Sequence, residues 1–226
     1  NLTNALGALL RSKMAVVVGD PLQLEPVVTL PVSLNNAILS YCEAKEEFNL
    51  LKSSVQLRAD KAQNIGTYIK GSGESIWVGS PLIVHRRCAN PMFDISNETT
   101  YDDMMILGRS AASKFANTNV QTKWIDVRSE EWIGNYNKAE GEVVKELLAG
   151  ELASQNYNIR IITPFKDVCR NLKGAGTIHT MQSKEADVIV FLLGGATKGA
   201  RAWAASKPNM LNVALTRAKE VKIGRA

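Results

Sequence analysis

Asp187-Val-Ile-Val-Phe-Leu-Leu193 sets six apolar residues behind one acid, with β-branched side chains at Val188, Ile189 and Val190. Such a run, too short for a buried helix, reads as a strand. Four further strand-like runs lie around it: Pro81 to Val84, Lys123 to Val127, Asn158 to Thr163 and Val221 to Ile223. Helical patterns separate them, clearest in Lys138 to Ala153, where Val143, Val144, Leu147, Leu148 and Leu152 share a face. Strands alternating with helices at this spacing predict βαβ crossovers, hence an α/β fold with a parallel sheet covered on both faces. Upstream, Met14-Ala-Val-Val-Val-Gly-Asp20 is a second β-branched run that stops at Gly-Asp-Pro. It predicts a central parallel strand buried on both faces.

Asn1 to Lys13 reads as the tail of a helix, with Leu2, Leu6, Leu9 and Leu10 at helical spacing, and the numbering is expected to start inside a longer protein. Val32 to Lys70 is polar and helical in character, and the four glycines between Gly66 and Gly79 predict a loop. The expected organisation is therefore residues 1–31 closing one domain, 32–79 connecting, and 80–226 forming a second domain.

The 226 residues are 45% hydrophobic and 22% charged, ordinary for a globular chain. A formal charge of +5 permits an anionic partner without requiring one. The uncharged runs fall well short of the ~20 apolar residues of a bilayer span, so no membrane association is expected. Three scattered cysteines, with no Cys-x-x-Cys pair, predict neither a disulfide framework nor a zinc ribbon, and place the chain in a reducing, cytoplasmic setting. No metal site is expected from His85 and Cys88, because His179 is the only other histidine.

Gly66 to Ser72 has the two glycines of a P-loop, but Ser72 stands where the lysine must be, and no strand leads into it. Neither Gly71-Ser-Gly73 nor Gly174-Ala-Gly176 completes a GxGxxG. The informative segments lie elsewhere. Gly19-Asp-Pro-Leu-Gln-Leu-Glu-Pro-Val27 follows the predicted strand, where ligands bind in open α/β sheets, so Asp20 and Gln23 are candidates for a phosphate. Gly176 to Asp187 packs hydroxyl, amide and acid groups directly before a buried strand, and such groups need partners, of which a ligand is one. In Leu211 to Lys219, Leu211, Leu215 and Ala218 make an apolar helical stripe with Arg217 beside it.

In this order the segments resemble the motifs of superfamily 1 helicases, in the branch of the nonsense-mediated-decay and replication-associated RNA/DNA helicases. Gly19 to Val27 is similar to the third motif, Val84-His-Arg-Arg-Cys-Ala-Asn-Pro91 to the fourth, and Ile161-Ile-Thr-Pro-Phe165 to the "ITPY" segment. Gly176 to Asp187 is similar to the fifth motif and Leu211 to Lys219, with Asn-Val-Ala-Leu-Thr-Arg-Ala-Lys, to the sixth. The resemblance implies RecA-like domains of the P-loop NTPase fold, ATP with Mg²⁺ between them, and single-stranded DNA or RNA across their top. It implies that Gln23, Arg87 and Arg217 act on the γ-phosphate, that Asp20 also faces the nucleotide, and that Glu185 binds the ribose. Thr163, Thr177 and His179 would contact the nucleic acid.

The P-loop and DEAx motifs that complete such a site are absent, so an N-terminal RecA-like domain of the same protein is the expected partner, and this chain alone is expected to be inactive. The alternative is a nucleic-acid-binding or interaction module without ATPase chemistry. Ser183 stands where the family has glycine, which implies strain if its φ is positive. Trp77, Trp124, Trp132 and Trp203 are read as packing residues. Lys219, Lys222 and Arg225 are read as a solvated face, and His85 with Cys88 as no catalytic dyad.

Overall fold

The computed structural model describes residues 2–25, 28–70, 75–153, 156–206 and 208–225. Pro26, Val27, Gly71, Ser72 and Gly73 of the segments above lie outside the described residues. The chain divides into two compact units, Asn1–Leu82 and Ile83–Ala226.

The first unit holds helices α1 (Leu2–Arg11), α2 (Val32–Tyr41) and α3 (Val55–Lys61), then strands β1 (Gly66–Lys70) and β2 (Ser75–Gly79). Ser54 caps α3, its hydroxyl accepting the Leu57 amide at 3.1 Å. Asn35 on α2 is buried because its amide works as a clasp, donating to Asn49 Oδ1 at 3.1 Å while its Oδ1 accepts the Leu50 amide.

Two expectations fail here. Residues 66–79 contain an antiparallel hairpin, β1 with β2, rather than an extended loop. Tyr68 stacks edge-on against Trp77 at 5.1 Å, and the Trp77 indole donates to the Asp60 carbonyl. Gly66 belongs to this packing: a Cβ there would meet the Trp77 ring at 2.8 Å. The other correction concerns Met14 to Asp20, which forms no strand; Val16 and Val18 are 84% and 81% exposed. A parallel strand exists only by hydrogen bonding to neighbours, and no described strand flanks this run.

The second unit carries β3 (Val84–His85), α4 (Met92–Thr100), β4 (Ile106–Leu107), β5 (Lys123–Ile125), β6 (Trp132–Ile133), β7 (Tyr136–Asn137) and α5 (Lys138–Ala149). It continues with β8 (Ile159–Thr163), α6 (Lys166–Asn171), β9 (Ala175–Thr177), β10 (Ala186–Leu192), α7 (Lys198–Ala205), α8 (Pro208–Thr216) and β11 (Ala218–Arg225). The expected parallel sheet forms: five strands in the order β5-β11-β10-β8-β9, every neighbouring pair parallel.

Alternation along the central strands explains why both faces are covered. Val188, Val190 and Leu192 of β10, with Val221 and Ile223 of β11, share a core with Val144, Leu147, Val168 and Ala204 from α5, α6 and α7. Ile189 and Phe191 point the other way and are buried as well, on the side where α4 and α8 pack against β11. Burying each such aliphatic side chain contributes ~1.5–3 kcal/mol before entropy is charged against it.

Ser183, in the turn before β10, has φ +66°, the left-handed region. Ser183→Gly is expected to raise stability by roughly 0.5–1 kcal/mol, because relief of the Cβ clash outweighs glycine's extra chain entropy. A urea melt reads this directly, and an unchanged or lowered midpoint would refute the strain.

Candidate functional site

The amino-terminal ends of β10 and β11 lie side by side, and the β3 segment crosses near them. Ala186 pairs with Ala218, and the Ala89 amide bonds the Lys219 carbonyl at 2.8 Å. Three of the predicted residues therefore converge although they are distant in sequence. Arg87 donates through Nε to Glu185 Oε2 at 2.8 Å and through Nη1 to the Thr216 carbonyl at 3.2 Å. Lys219 reaches the other Glu185 oxygen at 2.6 Å. Lys219, and after it Arg87, holds the Glu185 carboxyl below the usual carboxylate range against the opposing effect of burial.

Arg217 is placed differently from the sequence expectation. Helix α8 ends at Thr216 and β11 begins at Ala218, so Arg217 is the single residue between them rather than part of the helix. Its side chain is only 2% exposed. Nη2 lies 3.5 Å from the Thr216 hydroxyl, and Nε has no hydrogen-bond partner. Burial, reinforced by the neighbouring Arg87 charge, pushes the Arg217 pKa below the usual guanidinium range.

Arg109 was not singled out from the sequence, yet it fastens this cluster together. One nitrogen, Nη1, donates to the Arg87 carbonyl at 2.7 Å and the Lys219 carbonyl at 3.2 Å. Its Nη2 binds both oxygens of Glu220, at 3.1 and 3.2 Å, and Glu220 is itself 3% exposed and accepts the Lys114 amide. Nothing in the local sequence of Arg109 signals this, because the cluster partners it clamps lie 22 to 111 positions away and only its Nε stays local, donating to the Ser110 carbonyl. Arg87, Arg109, Glu185, Lys219 and Glu220 line an open basin of about 590 Å³ together with Arg86 and Lys114, whereas the buried Arg217 is not part of its lining.

The remaining candidates fall elsewhere. Thr163 and Thr177 pair at the carboxyl ends of β8 and β9. Register through β10 puts them roughly 20 Å along the strands from Glu185, which precedes that strand. Thr163 is fully buried and its hydroxyl accepts the Phe165 amide at 3.2 Å, so in this conformation it serves the turn. Thr177 and Thr180 bond each other's hydroxyls, and His179 between them is exposed. In the first unit Asp20 accepts the Leu22 amide and the Gln23 side-chain amide, at 2.9 and 3.0 Å.

Cys88 is fully buried, its thiol pushed up to about 12 by burial, and His85 Nε2 accepts the Cys88 backbone amide. A thiol so placed cannot supply a thiolate nucleophile near neutral pH. The expected solvated face fails at Lys222, which is buried under Phe191, while Lys219 is partly exposed and engaged with Glu185, and the Arg225 side chain lies outside the described residues. Trp77 and Trp203 pack on aromatic neighbours, while Trp124 covers Gly224 yet stays 56% exposed. Among the described residues, no group of three or more His, Cys, Asp or Glu could hold a metal ion, and no helix is long and apolar enough to cross a membrane.

No family model and no curated protein matches the chain. Among solved structures it is similar to the PRRSV helicase, at 17% identity and TM-score 0.37, over 68% of this chain and 26% of that one. It is also similar to arterivirus nonstructural protein 10 (helicase) in complex with DNA, at 16% identity and TM-score 0.37, over 66% of this chain and 27% of that one. The chain thus spans about a quarter of the length of these structures.

Proposed function

We propose that the chain is the C-terminal part of a superfamily 1 ATP-dependent DNA or RNA helicase, whose second RecA-like domain supplies the cationic side of the nucleotide site. The carrying observation is that Arg87 and Lys219 both bind Glu185, while the Thr216 carbonyl accepts from Arg87 and the Arg217 carbonyl accepts the Ala186 amide, so three segments that the sequence motifs single out independently meet at one place. A guanidinium kept buried, with Nε unpaired and a second arginine beside it, is costly unless an anion completes it. A phosphoryl group in flight spreads charge over three oxygens and is such an anion.

Gln23 and Asp20 would face the same nucleotide from the first domain, Arg87 and Arg217 would stabilise transferring charge, and Glu185 would meet the ribose. Mg²⁺ would be held by a DEAx segment of the first RecA-like domain, as the resemblance to superfamily 1 helicases implies. Thr177 and His179, at the far end of the sheet, would meet single-stranded nucleic acid separately from the phosphates. The setting would be cytoplasmic. Exposure of the apolar run Met14 to Val18 fits a sheet completed by further strands of a first domain.

Two measurements test this. The 226-residue chain alone is expected to show no NTP hydrolysis above background after repurification. A longer protein carrying the P-loop and DEAx segments is expected to hydrolyse ATP faster when single-stranded nucleic acid is added, because closure around the strand aims the arginines. Indifference to every DNA and RNA tested would end the motor assignment. The second reading, a binding module without ATP chemistry, is favoured by one observation, the positive φ at Ser183 two residues before Glu185. It predicts nucleic-acid binding with no hydrolysis in that longer protein.

A further inference from the structure

The basin carries more cationic than anionic side chains. Arg109 and Glu220 pair with each other and with backbone, which commits them to holding the walls. Arg86 and Lys114 are exposed at the rim, while Arg87 and Lys219 converge on one Glu185 carboxylate. Two charge-assisted bonds, at 2.8 and 2.6 Å, thus occupy one oxygen each of a group that presents the geometry of a small oxyanion. The buried Arg217 lies close enough to interact electrostatically with Arg87 and Glu185.

We infer that this basin is a polyphosphate site and that Glu185 is its built-in competitor, closing the site until an incoming phosphate group displaces the carboxylate from Arg87 and Lys219. The inference rests on the phosphate-binding assignment above and adds a regulatory role to a residue otherwise credited only with ribose recognition. Three physical points support it. Glu185 lies immediately before β10, and the first backbone bond of that strand is made by its neighbour Ala186 to the Arg217 carbonyl, so rotation of the Glu185 side chain alone frees the carboxylate without breaking a bond of β10. Its partners are anchored: the Arg87 and Lys219 carbonyls are both gripped by Arg109, so the cations stay in place when the carboxylate leaves. All three side chains in the contact are 35–41% exposed, which leaves the contact reachable by a ligand and weak enough to exchange.

The consequence runs against a simple ligand role. A residue that only binds ligand loses affinity when neutralised, whereas a competitor gains it. Binding of inorganic pyrophosphate and of ADP to the 226-residue chain should be titrated calorimetrically at low ionic strength, in wild type, Glu185→Gln, Glu185→Ala and Lys219→Met. The expected result is a pyrophosphate Kd about 3- to 10-fold tighter in both Glu185 variants, with Lys219→Met weaker than wild type. ADP would gain less than pyrophosphate in the Glu185 variants, because any ribose contact is lost with the carboxylate.

Unchanged or weakened pyrophosphate binding in the Glu185 variants overturns the inference, as does a complete absence of pyrophosphate binding in all four proteins. The helicase assignment fails by a different observation, hydrolysis in the longer protein that ignores nucleic acid, so the two failures are separable. Melting curves on the same samples confirm that the partly exposed Glu185 can be changed without unfolding the chain.

Discussion

Arg217→Lys is expected to leave the fold standing while ATP turnover in the longer protein falls by ~10²-fold or more. Lysine keeps the aliphatic stem and a basic head but lacks the planar fork with which a guanidinium meets several phosphate oxygens at once. At a position 2% exposed, lysine can also shed its proton, an escape that arginine does not have. The substitution therefore relieves an electrostatic burden in the unliganded chain and removes charge at the moment phosphoryl transfer needs it.

Arg217→Met sharpens the contrast. It deletes a buried cation whose Nε has no partner and which faces Arg87, so the unliganded chain is expected to gain about 1–3 kcal/mol of stability. Function and stability would then move in opposite directions, as they do where a site is kept strained for its chemistry. Thermal melting and steady-state turnover on the same samples decide it. Normal turnover in Arg217→Lys, or a destabilised Arg217→Met, would make this a structural arginine.

The sheet was legible because its evidence is local. Asp187 to Leu193 and Asn158 to Thr163 are apolar enough to be read as strands without knowing their neighbours, and both appear within one residue, as β10 and β8. Arg87, Glu185 and Arg217 were found through short motifs, and the fold does bring them together. Met14 to Asp20 shows the limit: a continuous β-branched run becomes a strand only where partner strands supply hydrogen bonds. Helix α8 shows another. Leu211, Leu215 and Ala218 continue a helical stripe on paper, yet the chain turns at Arg217, whose carbonyl accepts the Ala186 amide and starts the ladder with β10. The buried apolar residues of the helix are Met210, Val213, Ala214 and Leu215, while Leu211 is exposed. Arg109 was invisible because three of its bonds go to backbone carbonyls, which any sequence provides.

Lys222→Met is expected to stabilise the chain by ~3 kcal/mol at pH 7, with the advantage shrinking as pH rises. Lysine at position 222 reads as surface in the sequence because charge normally marks solvent, but β11 runs between β5 and β10 and both its faces are covered. Burial alone brings the Lys222 amine down to about 7 from its ordinary 10.5, with the Phe191 ring 4.6 Å away as partial compensation. Between those two values the unfolded chain binds a proton that the folded chain does not, so stability contributed at this position rises with pH through the window. Below about 7 both states are protonated and the whole penalty remains; above 10.5 both are neutral and it is gone. Cys88 works in the opposite sense above pH 9, because its thiol ionises only on unfolding, so the comparison belongs between pH 7 and 8.5. Urea melts across that range should rise for wild type more steeply than for Lys222→Met. Parallel slopes would mean that the ammonium reaches solvent from beneath Phe191, and that β11 is less tightly covered on the α4 and α8 side than its packing implies.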